Sequence, residues 1–108
     1  MEIKKINAII RTTALDEVEK GLRELGIDGI SVSRVKGYGE YANFFTGDWL
    51  STHARLEIFA TKEQVDGILE AILNASHTGL EGDGIIAVLP VEKILRIKTR
   101  TEVCCGKI

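Results

Sequence analysis

The sequence contains few cysteines and no long apolar run, and each of these two scarcities excludes a class of protein. One proline and two cysteines occur in 108 residues, and the cysteines, Cys104 and Cys105, are neighbours. A disulfide between neighbours closes almost no loop, so the fold cannot depend on a disulfide framework. No apolar run approaches the roughly 18–20 residues of a membrane helix, and residues 1–5 lack the apolar core of a signal peptide. We therefore expect a cytoplasmic protein without direct membrane insertion.

The charge balance is also close to neutral. The formal net charge is -2, with 28% charged and 44% hydrophobic residues. This composition is typical of a folded globular domain, and the length is that of one domain, residues 1–108. A nearly neutral chain offers no basic field for nucleic acid. We expect no nucleic-acid partner.

The adjacent cysteines allow two interpretations. In a reducing compartment, Cys104 and Cys105 are free thiols. Alternatively, they form a redox-responsive bridge or a weak pair of soft metal ligands. The residues around them do not decide between these interpretations.

Hydrophobic alternation predicts the strands. Residues 1–11 alternate apolar and polar side chains and are rich in β-branched residues, a pattern that favours a strand. We expect strands over residues 1–11, 30–35, 54–60 and 85–89, and a short last strand over residues 94–97. Pro90 cannot donate to a β-ladder, so we expect it to end the fourth strand.

Helical periodicity predicts two helices between these strands. The first begins with Thr12-Thr13 as N-cap and ends at Gly26. The second begins with a capping box, in which Thr61 is the N-cap and Gln64 the third helical residue. Their apolar stripes are Leu15, Val18, Leu22 and Leu25 in the first helix, and Val65, Ile68, Leu69, Ile72 and Leu73 in the second.

The order of these elements predicts the fold class. A β-α-β unit, a loop and a second β-α-β unit are typical of an α+β ferredoxin-like sandwich, with both helices on one face of an antiparallel sheet. The second face of the sheet is then bare. An apolar bare face requires a partner, and a closed symmetric oligomer is the usual solution.

Two stretches outside the regular elements are candidates for function. The loop at residues 40–52 contains Tyr41, Phe44, Phe45 and Trp49, which either contact a ligand, a partner or another subunit, or fold back on the sheet. The stretch 77–86 contains three glycines within six residues, at 79, 82 and 84. Such a run either directs several backbone N–H groups at an anion such as phosphate, or is an ordinary helix C-cap followed by a bend.

Four blocks of sequence resemble the P-II signal-transduction proteins, the nitrogen regulatory family. They are residues 35–39 (Val-Lys-Gly-Tyr-Gly), 56–58 (Leu-Glu-Ile), 78–84 (Thr-Gly-Leu-Glu-Gly-Asp-Gly), and 88–92 (Val-Leu-Pro-Val-Glu) with 96–99 (Arg-Ile-Lys-Thr). The resemblance implies a cytoplasmic homotrimer that binds an adenine nucleotide in each of three clefts between subunits. It also implies a T-loop at residues 40–52 that contacts a partner protein, a glycine loop at 78–84 and a C-terminal tail at 99–108.

The resemblance further implies which residues bind the nucleotide. Gly37, Tyr38 and Gly39 match the wall at the base of the T-loop, and Arg96 and Lys98 match two cations that reach phosphates from the neighbouring subunit. The remaining matched positions are Gly29, Ser31, Glu57, Phe59, Leu80, Glu81, Gly82, Asp83 and Gly84.

This chain departs from the family pattern at several positions. Ile85 stands where the family has a phosphate-binding lysine, and Glu40 and Tyr41 stand where it has arginine and glutamine. The loss of cations near a phosphate predicts that ADP or AMP is favoured over ATP. His53 matches the lysine that pairs with 2-oxoglutarate. We expect that His53 and Arg55 instead hold a small anion such as bicarbonate, or that His53 and His77 are simply surface histidines.

These features predict a regulatory protein similar to the carboxysome-associated or ion-transport-linked members of the family. Its expected partner is an inorganic-ion transporter, such as a bicarbonate transporter, or a transporter-linked protein. The sequence shows no Ser/His/Asp set or close carboxylate pair, so we do not expect an enzyme. The alternative is a metal-binding trimer of the copper-tolerance kind that uses Cys104, Cys105, His53 or His77, although these residues lack metal-ligand spacing.

Overall fold

The computed structural model of the protein describes residues 2–27, 29–35 and 53–103. The predicted T-loop therefore lies outside the described residues, as do Gly37, Tyr38, Gly39, Cys104 and Cys105.

The described elements follow the predicted order. The strands are β1 (Ile3–Arg11), β2 (Ile30–Val35), β3 (His53–Thr61), β4 (Gly84–Val91), β5 (Leu95–Arg96) and β6 (Thr101–Glu102), and the helices are α1 (Leu15–Glu24) and α2 (Lys62–Ser76). The main sheet has the order β2-β3-β1-β4, and all of its pairs are antiparallel. Each β-α-β unit thus places a strand of the other unit between its own two strands. This interleaving confirms the α+β ferredoxin-like fold.

The core lies between the helices and one face of the sheet. On the central strands, Ile6 pairs with Ile58 and Ala8 pairs with Leu56, and all four side chains are fully buried. The helices cover them with Val18 and Leu22 from α1 and Ile68 and Ile72 from α2. Each buried leucine or isoleucine contributes about 1.5–3 kcal/mol relative to an exposed one.

The helix ends are partly as predicted. The capping box of α2 is present, and the Thr61 N–H donates to Gln64 Oε1 at 2.9 Å. Gly26 has φ +82°, and the Ile27 N–H donates to the carbonyl of Leu22 at 2.9 Å, as in a Schellman C-cap.

The prediction that Thr12-Thr13 caps the first helix is wrong. Residues Thr12–Ala14 form a short 3₁₀ turn, and the N-cap position of α1 is Ala14, which has no side-chain cap. The Leu15 N–H donates to the Thr12 carbonyl instead. A 3₁₀ turn at a helix N-terminus thus takes over part of the role of a capping side chain.

The apolar stripes of the two helices face the core as predicted, with two exceptions. Val18, Leu22, Ile68 and Ile72 are buried, whereas Leu25 and Leu73 are about half exposed. Leu25 is the C-cap residue of α1 and lies near Gly67 of the second helix. The remaining predicted members, Leu15, Val65 and Leu69, pack against the core, so only Leu25 and Leu73 depart from the prediction.

The predictions for the C-terminal part of the chain need two corrections. Pro90 does not end the fourth strand, because β4 runs through it to Val91 and Pro90 pairs with Lys4. Since β4 is an edge strand of the described sheet, one side of its backbone needs no partner, and proline is tolerated there. The expected last strand over residues 94–97 is instead a two-stranded hairpin of β5 and β6, and Ile97 lies in its turn.

The other face of the sheet is not covered by a helix in the part of the chain that the structure describes. Odd-numbered residues of β1, β3 and β4 point to this side, here called the open face. Phe59 is 41% exposed there, Ile85 44% and Leu89 42%. The open face thus combines charged residues with exposed apolar side chains, as expected for the bare side of this fold.

Candidate functional site

The glycine turn, residues 78–84, connects the end of α2 to the start of β4. Gly79, Gly82 and Gly84 have φ values of +85°, +94° and +111°, which other residues rarely adopt. Gly84 has no room for a side chain, because a Cβ built there would lie 1.8 Å from the carbonyl oxygen of Ile9. Gly79 has open space around it. The turn therefore needs glycine for backbone conformation at all three sites and for space at Gly84.

The carboxylate of Asp83 accepts hydrogen bonds from other residues of the turn and from Arg11. Its Oδ2 accepts hydrogen bonds from the backbone N–H groups of Thr78 at 2.8 Å and Gly79 at 2.9 Å. Its Oδ1 accepts from the hydroxyl of Thr78 and from Nε of Arg11 at 3.4 Å. The Leu80 N–H donates to Thr78 Oγ1 at 3.2 Å. The carboxylate is thus a structural acceptor rather than a group presented to a ligand.

These contacts change the acidity of Asp83. Burial by itself raises the pKa of Asp83, but the hydroxyl and amide of Thr78, the amide of Gly79 and the Arg11 guanidinium lower it by more. The resulting pKa is about 2, against 3.8 for an unperturbed aspartate. Asp83 is therefore ionised at neutral pH and helps to hold the turn closed.

Two side chains from the central strands hold the carbonyls of the turn. Arg11 ends β1 and pairs with His53, which begins β3. Nη2 of Arg11 donates to the carbonyl oxygen of Glu81 at 2.6 Å, and Nε2 of His53 lies 2.6 Å from the carbonyl oxygen of Gly82. A carbonyl can only accept, so Nε2 of His53 carries a proton in this contact. The turn is therefore fixed to the sheet through both strands.

The two histidines differ in their exposure to solvent. His53 is 1% exposed, so its interpretation as a surface histidine is wrong, whereas His77 is exposed.

The contacts of Arg11 with the turn are not predicted by the sequence. The sequence shows Arg11 only as a polar residue at the end of the alternating pattern of β1, and its partners in the turn are 70 and 72 positions away.

The predicted base-binding residues lie together on the open face. Ser31 of β2 pairs directly with Glu57 of β3, and Phe59 lies two residues further along the same face. Nζ of Lys5 lies 3.6 Å from a carboxylate oxygen of Glu57 and 5.9 Å from the centre of the Phe59 ring. Gly29 directly precedes β2 and is exposed. The arrangement offers an aromatic surface next to hydroxyl and carboxylate acceptors.

The cationic residues that were predicted to bind an anion or the phosphates lie at two other places. Arg55 lies on the open face next to this patch, with its side chain 44% exposed and Nε 3.6 Å from Glu57. Arg96 belongs to β5 and Lys98 to the turn that follows it, and both are exposed. Their predicted partners belong to the neighbouring subunit.

Two further classes of site were sought in the same residues. Across residues 2–27, 29–35 and 53–103, no three His, Cys, Asp or Glu side chains come together where they could hold a metal ion. Within those ranges, too, no helix is both long and apolar enough to span a membrane.

Comparisons with known proteins identify the family. A model of the family described as Nitrogen regulatory protein P-II matches residues 3–101. The nitrogen regulatory protein P-II of Pasteurella multocida is 40% identical over an alignment 108 positions long, and the alignment covers 93% of this chain and 96% of that protein. The protein of the same name from Azospirillum brasilense is 41% identical over an alignment 105 positions long, which covers 90% of this chain and 93% of that protein.

A solved structure supports the same assignment. The crystal structure of Arabidopsis thaliana PII bound to citrate superposes with a TM-score of 0.78 at 32% identity, covering 94% of this chain and 89% of that one. The shared fold, the matched length and the level of identity agree with each other. This chain belongs to the nitrogen regulatory protein P-II family, a family of regulatory proteins.

Proposed function

We propose that this protein is a trimeric regulator that binds adenine nucleotides in clefts between its subunits. The observation that carries the proposal is the glycine turn, whose three positive-φ glycines and internal Asp83 create a rigid backbone loop at the edge of the open face. Residues 1–108 form one P-II domain in this proposal, with the T-loop at 40–52 and the C-terminal tail at 99–108.

The glycine turn supports a phosphate site in this proposal. Asp83 and Thr78 engage the amides of residues 78–80. The amides of Glu81 and Gly82 donate to no acceptor among the described residues. Backbone N–H groups of a glycine-rich turn are suited to an anion, so Leu80, Glu81, Gly82, Asp83 and Gly84 surround the phosphates. Arg96 and Lys98 of the neighbouring subunit supply the positive charge.

The open face supplies the rest of the nucleotide site. The exposed ring of Phe59 lies against the adenine, and Gly29, Ser31 and Glu57 meet the ribose and the base. The family resemblance adds Gly37, Tyr38 and Gly39 as the opposite wall. A second subunit is required to complete such a cleft.

The exposed apolar residues of the open face favour self-association. Phe59, Ile85 and Leu89 are exposed on the side of the sheet that lies opposite the helices. Burial of such side chains is the main favourable term in subunit association. A closed trimer buries the same patch on each subunit.

The residue after the glycine turn favours ligands with fewer phosphates. Ile85 directly follows Gly84 and is 44% exposed on the open face. A terminal phosphate that reaches this position meets an apolar side chain and no lysine. The third phosphate of ATP therefore adds little binding free energy to the contacts that the three nucleotides share. The proposed order of affinity favours ADP or AMP.

A second anion and a protein partner complete the proposal. Bicarbonate is the proposed co-ligand, held by the exposed side chain of Arg55. His53 was predicted to share this role, but its side chain is 1% exposed and its Nε2 is bonded to the carbonyl of Gly82. The Arabidopsis relative is bound to citrate, which supports a small anion as co-ligand. The T-loop reports the bound ligands to an inorganic-ion transporter or a transporter-linked protein.

Isothermal titration with ADP, AMP and ATP, combined with the solution mass, tests the proposal. We expect a mass three times that of one chain, and ADP or AMP affinity at least equal to that of ATP. A monomer, or a trimer that binds none of the three nucleotides, would contradict the proposed function. ATP binding about tenfold tighter than ADP would contradict only the proposed preference.

A further inference from the structure

Two neighbouring carbonyl groups of the glycine turn are held by side chains from different strands. The carbonyl of Glu81 accepts from Nη2 of Arg11 at 2.6 Å, and the carbonyl of Gly82 accepts from Nε2 of His53 at 2.6 Å. Arg11 and His53 are cross-strand partners on β1 and β3. We call this pair the carbonyl clamp.

The clamp determines where the adjacent amides point. The described peptide bonds are all trans, and in a planar trans peptide the N–H points opposite to the C=O. When Arg11 holds the Glu81 carbonyl, the N–H of Gly82 is directed away from Arg11. When His53 holds the Gly82 carbonyl, the N–H of Asp83 is directed away from His53. A flip of either peptide would present a carbonyl oxygen where an anion requires a donor.

We propose that Arg11 and His53 are positioning residues that set the amide direction of the glycine turn, so that it presents N–H groups to a phosphate. The inference rests on the proposed nucleotide function and extends it. Neither residue needs to touch the ligand, because each acts through the carbonyl that it holds.

The Arg11 half of the clamp is an exposed hydrogen bond and the His53 half is a buried one. Arg11 is also held by the Asp83 carboxylate through Nε at 3.4 Å, so its guanidinium spans two residues of the turn. His53 and Gly82 are both buried, and a hydrogen bond shielded from water is strong and costly to lose. Gly82 has φ +94°, a conformation in which glycine allows the peptides on both sides to be set by their partners.

The test separates positioning from general stability by comparing ADP with adenosine. His53→Leu removes the donor and keeps a side chain of similar bulk, whereas His53→Gln restores an N–H donor at about the same reach. Arg11→Met removes the other half of the clamp. Arg23→Met is the matched arginine control, because Arg23 is exposed on α1 and its ion pair is with Glu19. Each variant is titrated with ADP and with adenosine, and its fold is checked by thermal unfolding.

We expect His53→Leu and Arg11→Met to weaken ADP binding about tenfold. Each variant lets a peptide of the turn reorient, and the loss of the amide hydrogen bond to the charged phosphate has an effect of this size. Adenosine, which has no phosphate, should bind each variant as it binds the wild type. His53→Gln should recover most of the ADP affinity, and Arg23→Met should leave it unchanged. The Arg11→Met effect should persist at high salt, which screens a direct attraction between Arg11 and the phosphate.

The outcomes distinguish this inference from the function on which it rests. A wild-type protein that does not bind ADP overturns both. A wild-type protein that binds ADP, with His53→Leu and Arg11→Met binding it equally well or losing adenosine to the same extent, overturns the clamp alone. If His53→Leu does not fold, the Arg11→Met and His53→Gln titrations still decide between these outcomes.

Discussion

The two faces of the central sheet are made from alternate residues of the same strands, yet they differ in burial and in charge. On the covered face, Leu56 and Ile58 are fully buried against the helices. On the open face, their neighbours Arg55, Glu57 and Phe59 are at least partly exposed and include the charged groups. The covered face therefore supplies the packing that stabilises the fold, and the open face carries the candidate site. The following predictions test that separation.

The largest effect is expected where the glycine turn enters the sheet. Gly84→Ala would place a Cβ 1.8 Å from the Ile9 carbonyl oxygen at φ +111°. The backbone must move to relieve this contact, at a cost of about 4 kcal/mol or more in the free energy of unfolding. Gly79→Ala is the matched control, since it has positive φ but open space, and should cost about 1 kcal/mol. Urea denaturation measures both, and equal costs would contradict the steric argument.

The next largest effect is a difference in stability loss between variants of adjacent residues on opposite faces of the sheet. Leu56→Ala leaves a cavity in the core and should lower the free energy of unfolding by about 3 kcal/mol. Arg55→Ala removes a half-exposed side chain whose ion pair with Glu57 spans 3.6 Å, and should change stability by less than about 1 kcal/mol. Denaturation of the two variants in parallel checks the difference. A large loss of stability in Arg55→Ala would show that the open face also carries packing.

The pH dependence of stability should reveal the role of Asp83. Because its pKa is lowered to about 2 in the folded state, its ionised form stabilises the protein by about 2 kcal/mol above the unfolded pKa near 4. This contribution is lost as the pH falls from about 4 to about 2. Asp83→Asn should therefore be less stable than the wild type at neutral pH, and the gap should close in acid. Asp66→Asn, on the exposed side of α2, serves as the control. A constant gap across this range would contradict the assignment.

The smallest effect concerns ligand preference on the open face. Ile85→Lys adds a cation beside the glycine turn and should raise ATP affinity relative to ADP by about fivefold, a gain of about 1 kcal/mol. Val88→Lys adds the same charge to the same strand with the opposite orientation, and should leave the ratio unchanged. Titration of both variants with ATP and ADP provides the measurement. An unchanged ratio in Ile85→Lys would mean that Ile85 does not set the preference.

Local patterns predicted most of the fold. The alternation in β1 and β3 predicted which side chains are buried, because a strand places successive side chains on opposite faces. The capping box at Thr61 and Gln64 was also predicted, because its partners are three residues apart. The errors arose where context overrides propensity. Thr12 joined a 3₁₀ turn, and Pro90 was accepted because β4 is an edge strand of the described sheet.

The sequence by itself determined the order of elements, the buried stripes, the position of the glycine turn and the family resemblance, since each depends on residues close together in the chain. Only the tertiary structure decided that Arg11 and His53 hold the carbonyls of Glu81 and Gly82. Those hydrogen bonds join residues 29 and 70 positions apart, and they exist because the sheet places the ends of β1 and β3 beside the turn. Distances between such residues follow from strand register, which no local pattern encodes.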